Sequence, residues 1–470
     1  MRIAMRCSSC LTPLRMPTTT SMPAAAGSAP ASRSDGKLRR AITGPLLFLF
    51  ILGDVLGAGV YALVGKVAGE VGGAVWVPLL VALGMAMLTA ASYAELVTKY
   101  PRAGGAAVFA ARAYQRPIVS FLVGFAMLAA GVTSAAGLSL AFAGDYLGAF
   151  LDVPAAPTAM VFLLAVALLN ARGIKESVGA NMVMTVVEVG GLLLVIGVAM
   201  AFVAGGGGDM SRVTEFREGV SPGTAVLGAA LIAFYSFVGF EVSANVAEEV
   251  RDVRRVYPRA LFGALLVAGI VYLGVGMAAA MVLDTATLSA SSAPLLEVVR
   301  ASGAGIPDSV FAVVALVAVA NGALLTMIMA SRLTYGMAEE GLLPPVLSRV
   351  LPQRRTPWVA IIVTTLVAMA LAATASLIEL AETVVLLLLF VFISTNLAVL
   401  VLRKDTQVEP HFRTPTVLPV LAVLSCLVLL TQQNAATWGR AALLLGAGAV
   451  LFALTRSRSN PSTVAAEARR

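Results

Sequence analysis

Residues 53–66 read GDVLGAGVYALVGK. The stretch lies in an apolar segment beginning near Ile42, yet it holds Gly53, Gly57 and Gly59 and a carboxylate, Asp54. Glycine costs about 1 kcal/mol relative to alanine inside a helix. Breaking a helix at Gly57-Ala58-Gly59 frees N–H groups at the start of its second half. The dipole is positive there, and a carboxylate can bind without a basic side chain. The same spacing also suits close packing of a neighbouring helix against small residues.

The surrounding chain decides what kind of segment this is. Of 470 residues, 59% are hydrophobic and 12% charged, whereas soluble domains carry about 25% charged residues. Mean hydropathy is +0.92. Apolar runs recur along the length, each able to cross a hydrocarbon core about 30 Å thick. The expected fold is an all-α polytopic membrane protein of 12 transmembrane helices. The spans fall near 42–64, 73–98, 117–143, 157–171, 179–204, 223–247, 260–283, 308–334, 357–375, 380–402, 415–431 and 437–455. The fourth is short, and the third is expected to begin earlier or to continue beyond its stated limits.

Basic residues set the orientation. With the N-terminus inside, 28 of the 33 Lys and Arg residues fall in cytoplasmic segments. Lys66, Arg212, Arg217, Arg300 and Arg440 fall on the other side. Both termini are therefore expected in the cytoplasm, with the protein in the cytoplasmic (inner) membrane. The net charge of +8 is assigned to the lipid bilayer rather than to nucleic acid. Residues 1–40 read as a disordered cytoplasmic tail, and 456–470 as a cytoplasmic tail. Cys7 and Cys10 have no metal-binding partners nearby in sequence. No metal centre or cofactor is expected.

A second irregular stretch lies in the sixth span, AFYSFVGFEVSAN at residues 233–245, with Ser236, Gly239 and the carboxylate Glu241. Gly59 and Gly239 are 180 positions apart, which suggests a 5+5 inverted repeat with discontinuous helices 1 and 6. Its parts are residues 41–204, a loop 205–222, residues 223–402, and two C-terminal helices within 403–455. Paired Gly-interrupted spans in matching halves point to a transporter's binding site. Carbonyls freed around Ser236–Val238 would receive an ammonium group, so a zwitterion fits between the breaks.

Several ordered motifs resemble the amino acid–polyamine–organocation superfamily of permeases, over most of residues 41–415. They include Gly53-x-x-x-Gly57-Ala58-Gly59-Val60-Tyr61 and Tyr100-Pro101-Arg102-Ala103-Gly104-Gly105. Others are Gly173-Ile174-Lys175-Glu176-Ser177, Ala233 through Glu241, and Ser331-Arg332-Leu333-x-Tyr335-Gly336-Met337-Ala338. The resemblance implies a LeuT-type fold moving L-amino acids by alternating access. It implies a substrate carboxylate on the backbone of Gly57, Ala58 and Gly59. The amino group would meet the backbone of Phe234, Ser236 and Phe237, with Gly239 at the break and Phe237 as a gating aromatic. Many relatives carry a lysine fifteen residues after the glycine of the G-x-K-E-S motif; this chain has Glu188.

Asp54, Glu188 and Glu241 thus lie inside expected spans. A charge at a helix centre costs about 3 kcal/mol on the insertion scale, so the three are candidates for a coupling proton or ion. A proton is expected ahead of sodium, and Asp54 and Glu188 are expected to be near one another. The bland alternative is that Glu188 hydrogen-bonds a neighbouring helix and Asp54 caps the second half-helix. Asn181 and Asn321 read as helix glue or substrate contacts, and Glu95 as structural. An amine, polyamine or cationic amino acid carrier, or an exchanger, is the alternative function. A sensor or channel lacks its signalling domain or polar stripe. No nucleophile–base set marks an enzyme, and nothing in the sequence defines an oligomeric state.

Overall fold

The computed structural model describes residues 42–102, 104–151, 153–172, 175–352, 354, 356–405 and 410–458. The expected tail 1–40 with Cys7 and Cys10, residues 459–470, and Gly173-Ile174 of the fifth-span motif lie outside the described residues. Within them the structure is helical, with two isolated β-bridges.

The first span is two helices, α1 (Gly44–Leu56) and α2 (Ala58–Val71), bent by 42° across Gly57. Next come α3 (Trp76–Lys99), α4 (Gly105–Tyr114), α5 (Pro117–Phe142), the short α6 (Asp145–Gly148), α7 (Ala155–Arg172) and α8 (Lys175–Ala204). The chain continues through α9 (Pro222–Tyr235), a 3₁₀ segment Phe240–Glu249, α10 (Val253–Val282), α11 (Thr285–Ala290) and α12 (Pro294–Ala301). It ends with α13 (Asp308–Glu339), α14 (Trp358–Thr374), α15 (Leu377–Leu402), α16 (Val417–Leu430) and α17 (Ala435–Arg458). Prolines start α1, α5 and α9, where the missing N–H costs nothing. A capping box of Ser376 and Glu379 opens α15, satisfying two end amides.

Among the described residues, nine helices are long and apolar enough to cross a membrane, and the bent pair makes a tenth. α14 and α16 are apolar but shorter. Several expected boundaries shift. The first span runs to Val71 and the seventh starts at Val253 rather than 260. The third span starts at Pro117 and continues beyond its expected end, through α6 to Gly148, while the separate helix α4 occupies the residues before it. Large apolar residues stay exposed on the outer helices, such as Leu168 on α7, Val183 on α8 and Leu443 on α17. Such a surface suits lipid, since the backbone bonds are satisfied inside each helix.

The two broken spans lie side by side and antiparallel. Ile42 N–H donates to Glu249 O and Arg251 N–H to Ile42 O, each 2.9 Å. At the far end Arg217 N–H donates to Val71 O at 2.9 Å and Ala74 N–H to Glu215 O at 3.0 Å. The start of the first span is thus tied to the end of the sixth, and its end to the start of the sixth.

One end of the bundle is held by a buried charge pair. Glu95 of α3 accepts from Arg403 Nη2 at 3.1 Å and from Thr414 N–H at 2.8 Å. Arg403 also donates to the Thr414 carbonyl. Glu95 is therefore the structural residue its position suggested.

Candidate functional site

Gly57 separates α1 from α2 with φ −37° and ψ −164°, and no side chain caps it. The first amides of α2 therefore have no intrahelical acceptor. Asp54 does not serve as that cap; its Oδ2 is buried without a hydrogen-bond partner. In the sixth span α9 ends at Tyr235. The amides of Ser236, Phe237 and Val238 then turn back onto carbonyls three residues earlier, at 3.0–3.1 Å. Gly239 follows at φ 126°, a region that other residues resist. The ten-residue 3₁₀ segment beyond it is long for a helix type that rarely exceeds 3–4 residues and often marks a hinge.

The two breaks touch. A Cβ on Gly59 would stand 2.7 Å from the Ser236 Cα, and one on Gly239 would stand 2.7 Å from the Asp54 carbonyl oxygen. The Gly239 N–H donates to Glu241 Oε2 at 3.0 Å. Asp54 and Glu241 thus flank the same glycine.

A cavity opens where the breaks meet. Asp54, Gly57 and Gly59 line it from the first span, and Tyr235, Ser236, Gly239 and Glu241 from the sixth. Ser134 and Met127 of α5, Thr326 and Met329 of α13, and Val384 and Leu388 of α15 complete the wall. Two carboxylates line it, and no Lys, Arg or His among the described residues does. Ser134 and Tyr235 hydroxyls pair at 3.1 Å.

The expected site residues divide into two groups. Asp54, Gly57, Gly59, Ser236, Gly239 and Glu241 converge on the cavity, and Ala58 is the first residue of α2. Phe234 and Phe237 do not line it. The Phe234 ring packs on Phe392 with centroids 6.1 Å apart, and the Phe237 ring on Tyr272 at 5.2 Å. The aromatic residue on the cavity wall is instead Tyr235. Its signal was its place in the AFYSFVGFEVSAN stretch, immediately before the break. Thr326 and the methionines sit in evenly apolar helices and carried no sequence signal of their own.

Glu188 lies one layer behind the cavity, fully buried. Its Oε1 accepts from Asn321 Nδ2 at 3.0 Å, and the same nitrogen donates to Asn181 Oδ1 at 2.9 Å. Asn181 and Asn321 therefore join α8 to α13. On the α1 side, a Cβ on Gly53 would stand 2.0 Å from Thr185 Oγ1 and 3.2 Å from Asn181 Oδ1. Of the first three glycines in the opening stretch, Gly53 lets α8 approach, Gly57 carries the break, and Gly59 admits the sixth span.

The model of the family described as "Amino acid permease" matches residues 44–452. Branched-chain amino acid permease BcaP of Bacillus subtilis (strain 168) is 27% identical over 448 residues, covering 90% of this chain and 94% of that protein. The methylthioribose transporter of the same organism is 26% identical over 448 residues, covering 90% and 95%. The vacuolar cationic amino acid transporter 2 of Arabidopsis thaliana is 32% identical over 394 residues, covering 78% of this chain and 60% of that protein. With its apolar helices, the chain is a multi-pass membrane transporter and not an enzyme. The match over most of its length shows that it belongs to the amino acid permease family.

Proposed function

We propose that the chain carries an L-amino acid across the cytoplasmic membrane by alternating access, as a proton-coupled symporter. The observation that carries this reading is the cavity at which both helix breaks meet. The first amides of α2, which no side chain caps, attract the substrate carboxylate. Asp54, Glu241 and the backbone at Ser236, which line the cavity, attract its amino group. Met127, Met329, Val384 and Leu388 leave an apolar surface for the side chain. A neutral, apolar amino acid fits this division, in keeping with the name of the Bacillus subtilis branched-chain amino acid permease.

The topology assigned to this function counts α14 and α16 as short crossings, giving twelve. Residues 41–204 and 223–402 then form the two inverted halves, with both termini in the cytoplasm. Asp54, Glu188 and Glu241 are the coupling candidates, and the ion is a proton rather than sodium.

A second reading is favoured by the cavity's two carboxylates and its lack of a basic side chain among the described residues. On that reading the solute is cationic, an amine or a basic amino acid. Purified protein in liposomes, offered labelled leucine, lysine and a linear diamine under imposed proton or sodium gradients, separates the two. The expected result is leucine uptake driven by an inward proton gradient and indifferent to sodium. Preference for lysine or the diamine installs the second reading, and uptake of none overturns both.

A further inference from the structure

We propose that Glu188 and Asn321 form an acid–amide pair that holds one exchangeable proton between α8 and α13. This rests on the proton-coupled reading above and narrows it to one buried pair. Asn321 Nδ2 has two hydrogens, and both are used, one on Asn181 Oδ1 and one on Glu188 Oε1. Two acceptors remain without a donor, Asn321 Oδ1 and Glu188 Oε2, and both are buried.

Each buried, unsatisfied acceptor costs about 1–3 kcal/mol, and more if charged. An ionised carboxylate only accepts, so it leaves both oxygens stranded. One proton on Glu188 Oε2 turns that atom into a donor. The planar acid and the planar amide then close a ring, N–H to Oε1 and O–H to Oδ1. A single proton removes both deficits.

Among the described residues, the surroundings contain nothing that replaces it. From α1 the nearest acidic group is Asp54, itself carrying an unpartnered oxygen. Tyr61 of α2 donates to the Glu188 main-chain carbonyl at 2.9 Å, not to its carboxyl, and Tyr272 of α10 donates to Val55 O. On α12, Glu297 and Arg300 pair with each other at the protein surface. α13 presents Asn321.

Release breaks the O–H bond of Glu188 and passes the proton to water or to the Asp54 carboxylate. One of the two bonds between acid and amide is lost with it. The next residue, Gly322, lines the cavity, and its Cα lies 3.8 Å from where a Cβ on Gly57 would stand. The proton state of the pair is thereby felt at the first break.

The test is infrared difference spectroscopy of the purified full chain during a pH titration, with melting temperature followed in parallel. The wild type is expected to show a carboxylic C=O band that titrates, and to lose thermal stability as that band disappears. Glu188→Gln, whose amide can replace both hydrogen bonds, is expected to lack the band and most of the pH-dependent loss of stability. Its proton-driven uptake is expected to fall about tenfold or more, within the ordinary range of coupling free energies. Asn321→Ala is expected to keep the band but shift it, because the acid loses its partner; this readout stands even if Glu188→Gln does not fold. A titrating band unchanged in Glu188→Gln, or unmoved in Asn321→Ala, overturns the proposal. So does a wild-type band that responds to sodium instead of pH. These spectra need no substrate, so failure of the amino-acid reading would leave them to decide the pair on their own.

Discussion

Gly59 of the first span and Ser236 of the sixth lie so close that a Cβ on the glycine would stand 2.7 Å from the serine Cα. Because the obstacle is backbone, neither chain can yield by changing a rotamer. Gly59→Ala is expected to cost about 1–3 kcal/mol, the usual penalty of overpacking, and to abolish uptake by forcing the breaks apart. Ser236→Ala added to it should not restore function, since the clash with the main chain remains. Thermal melting with liposome uptake checks this, and an active Gly59→Ala protein would refute it.

Gly53 tests a different approach, that of α1 to α8. Its added Cβ would stand 2.0 Å from Thr185 Oγ1 but 3.1 Å from the Thr185 Cβ. Gly53→Ala is therefore expected to destabilise the protein, and Thr185→Ala in the same chain to rescue much of it. Couplings between touching residues run about 0.5–3 kcal/mol. Additive effects in a double-mutant melting series would count against the pairing.

The Glu95–Arg403 pair has side chains 2% and 14% exposed. Removing one partner of a buried pair costs about 3–5 kcal/mol, because a charge is left uncompensated. Arg403→Met alone is expected to lower the melting temperature sharply. The double variant Glu95→Gln with Arg403→Met should lose less than the two single effects combined. Size-exclusion thermostability reads both.

Asp284 offers a pH prediction outside the spans. It caps α11, accepting from Thr287 N–H at 2.9 Å and from the Thr287 hydroxyl at 2.7 Å. These bonds hold its carboxyl below the ordinary value. The folded value is the lower one, so the stabilisation is present above the unfolded value of about 3.9. It is lost as pH falls through the folded value. Asp284→Ala is expected to cost about 1 kcal/mol, as a lost N-cap does, at neutral pH. The difference from wild type should vanish in strong acid, as followed by melting curves at stepped pH.

What the chain declared by itself were features that local chemistry enforces. A span must be apolar, and a break needs glycine wherever backbone must meet backbone or φ turns positive. Asp54, Gly57, Gly59, Ser236, Gly239 and Glu241 could therefore be named from the two odd stretches alone. Tertiary structure decided which faces meet. Phe237 and Tyr235 are both aromatic and two positions apart, and only packing against Tyr272 and Ser134 put one in the core and the other on the cavity wall. Glu188 could be read as a lone membrane carboxylate. That its partner is Asn321, 133 positions away, depends on how α8 and α13 cross. Evenly apolar helices carry little sequence signal for that rotation, because lipid and core solvate the same residues.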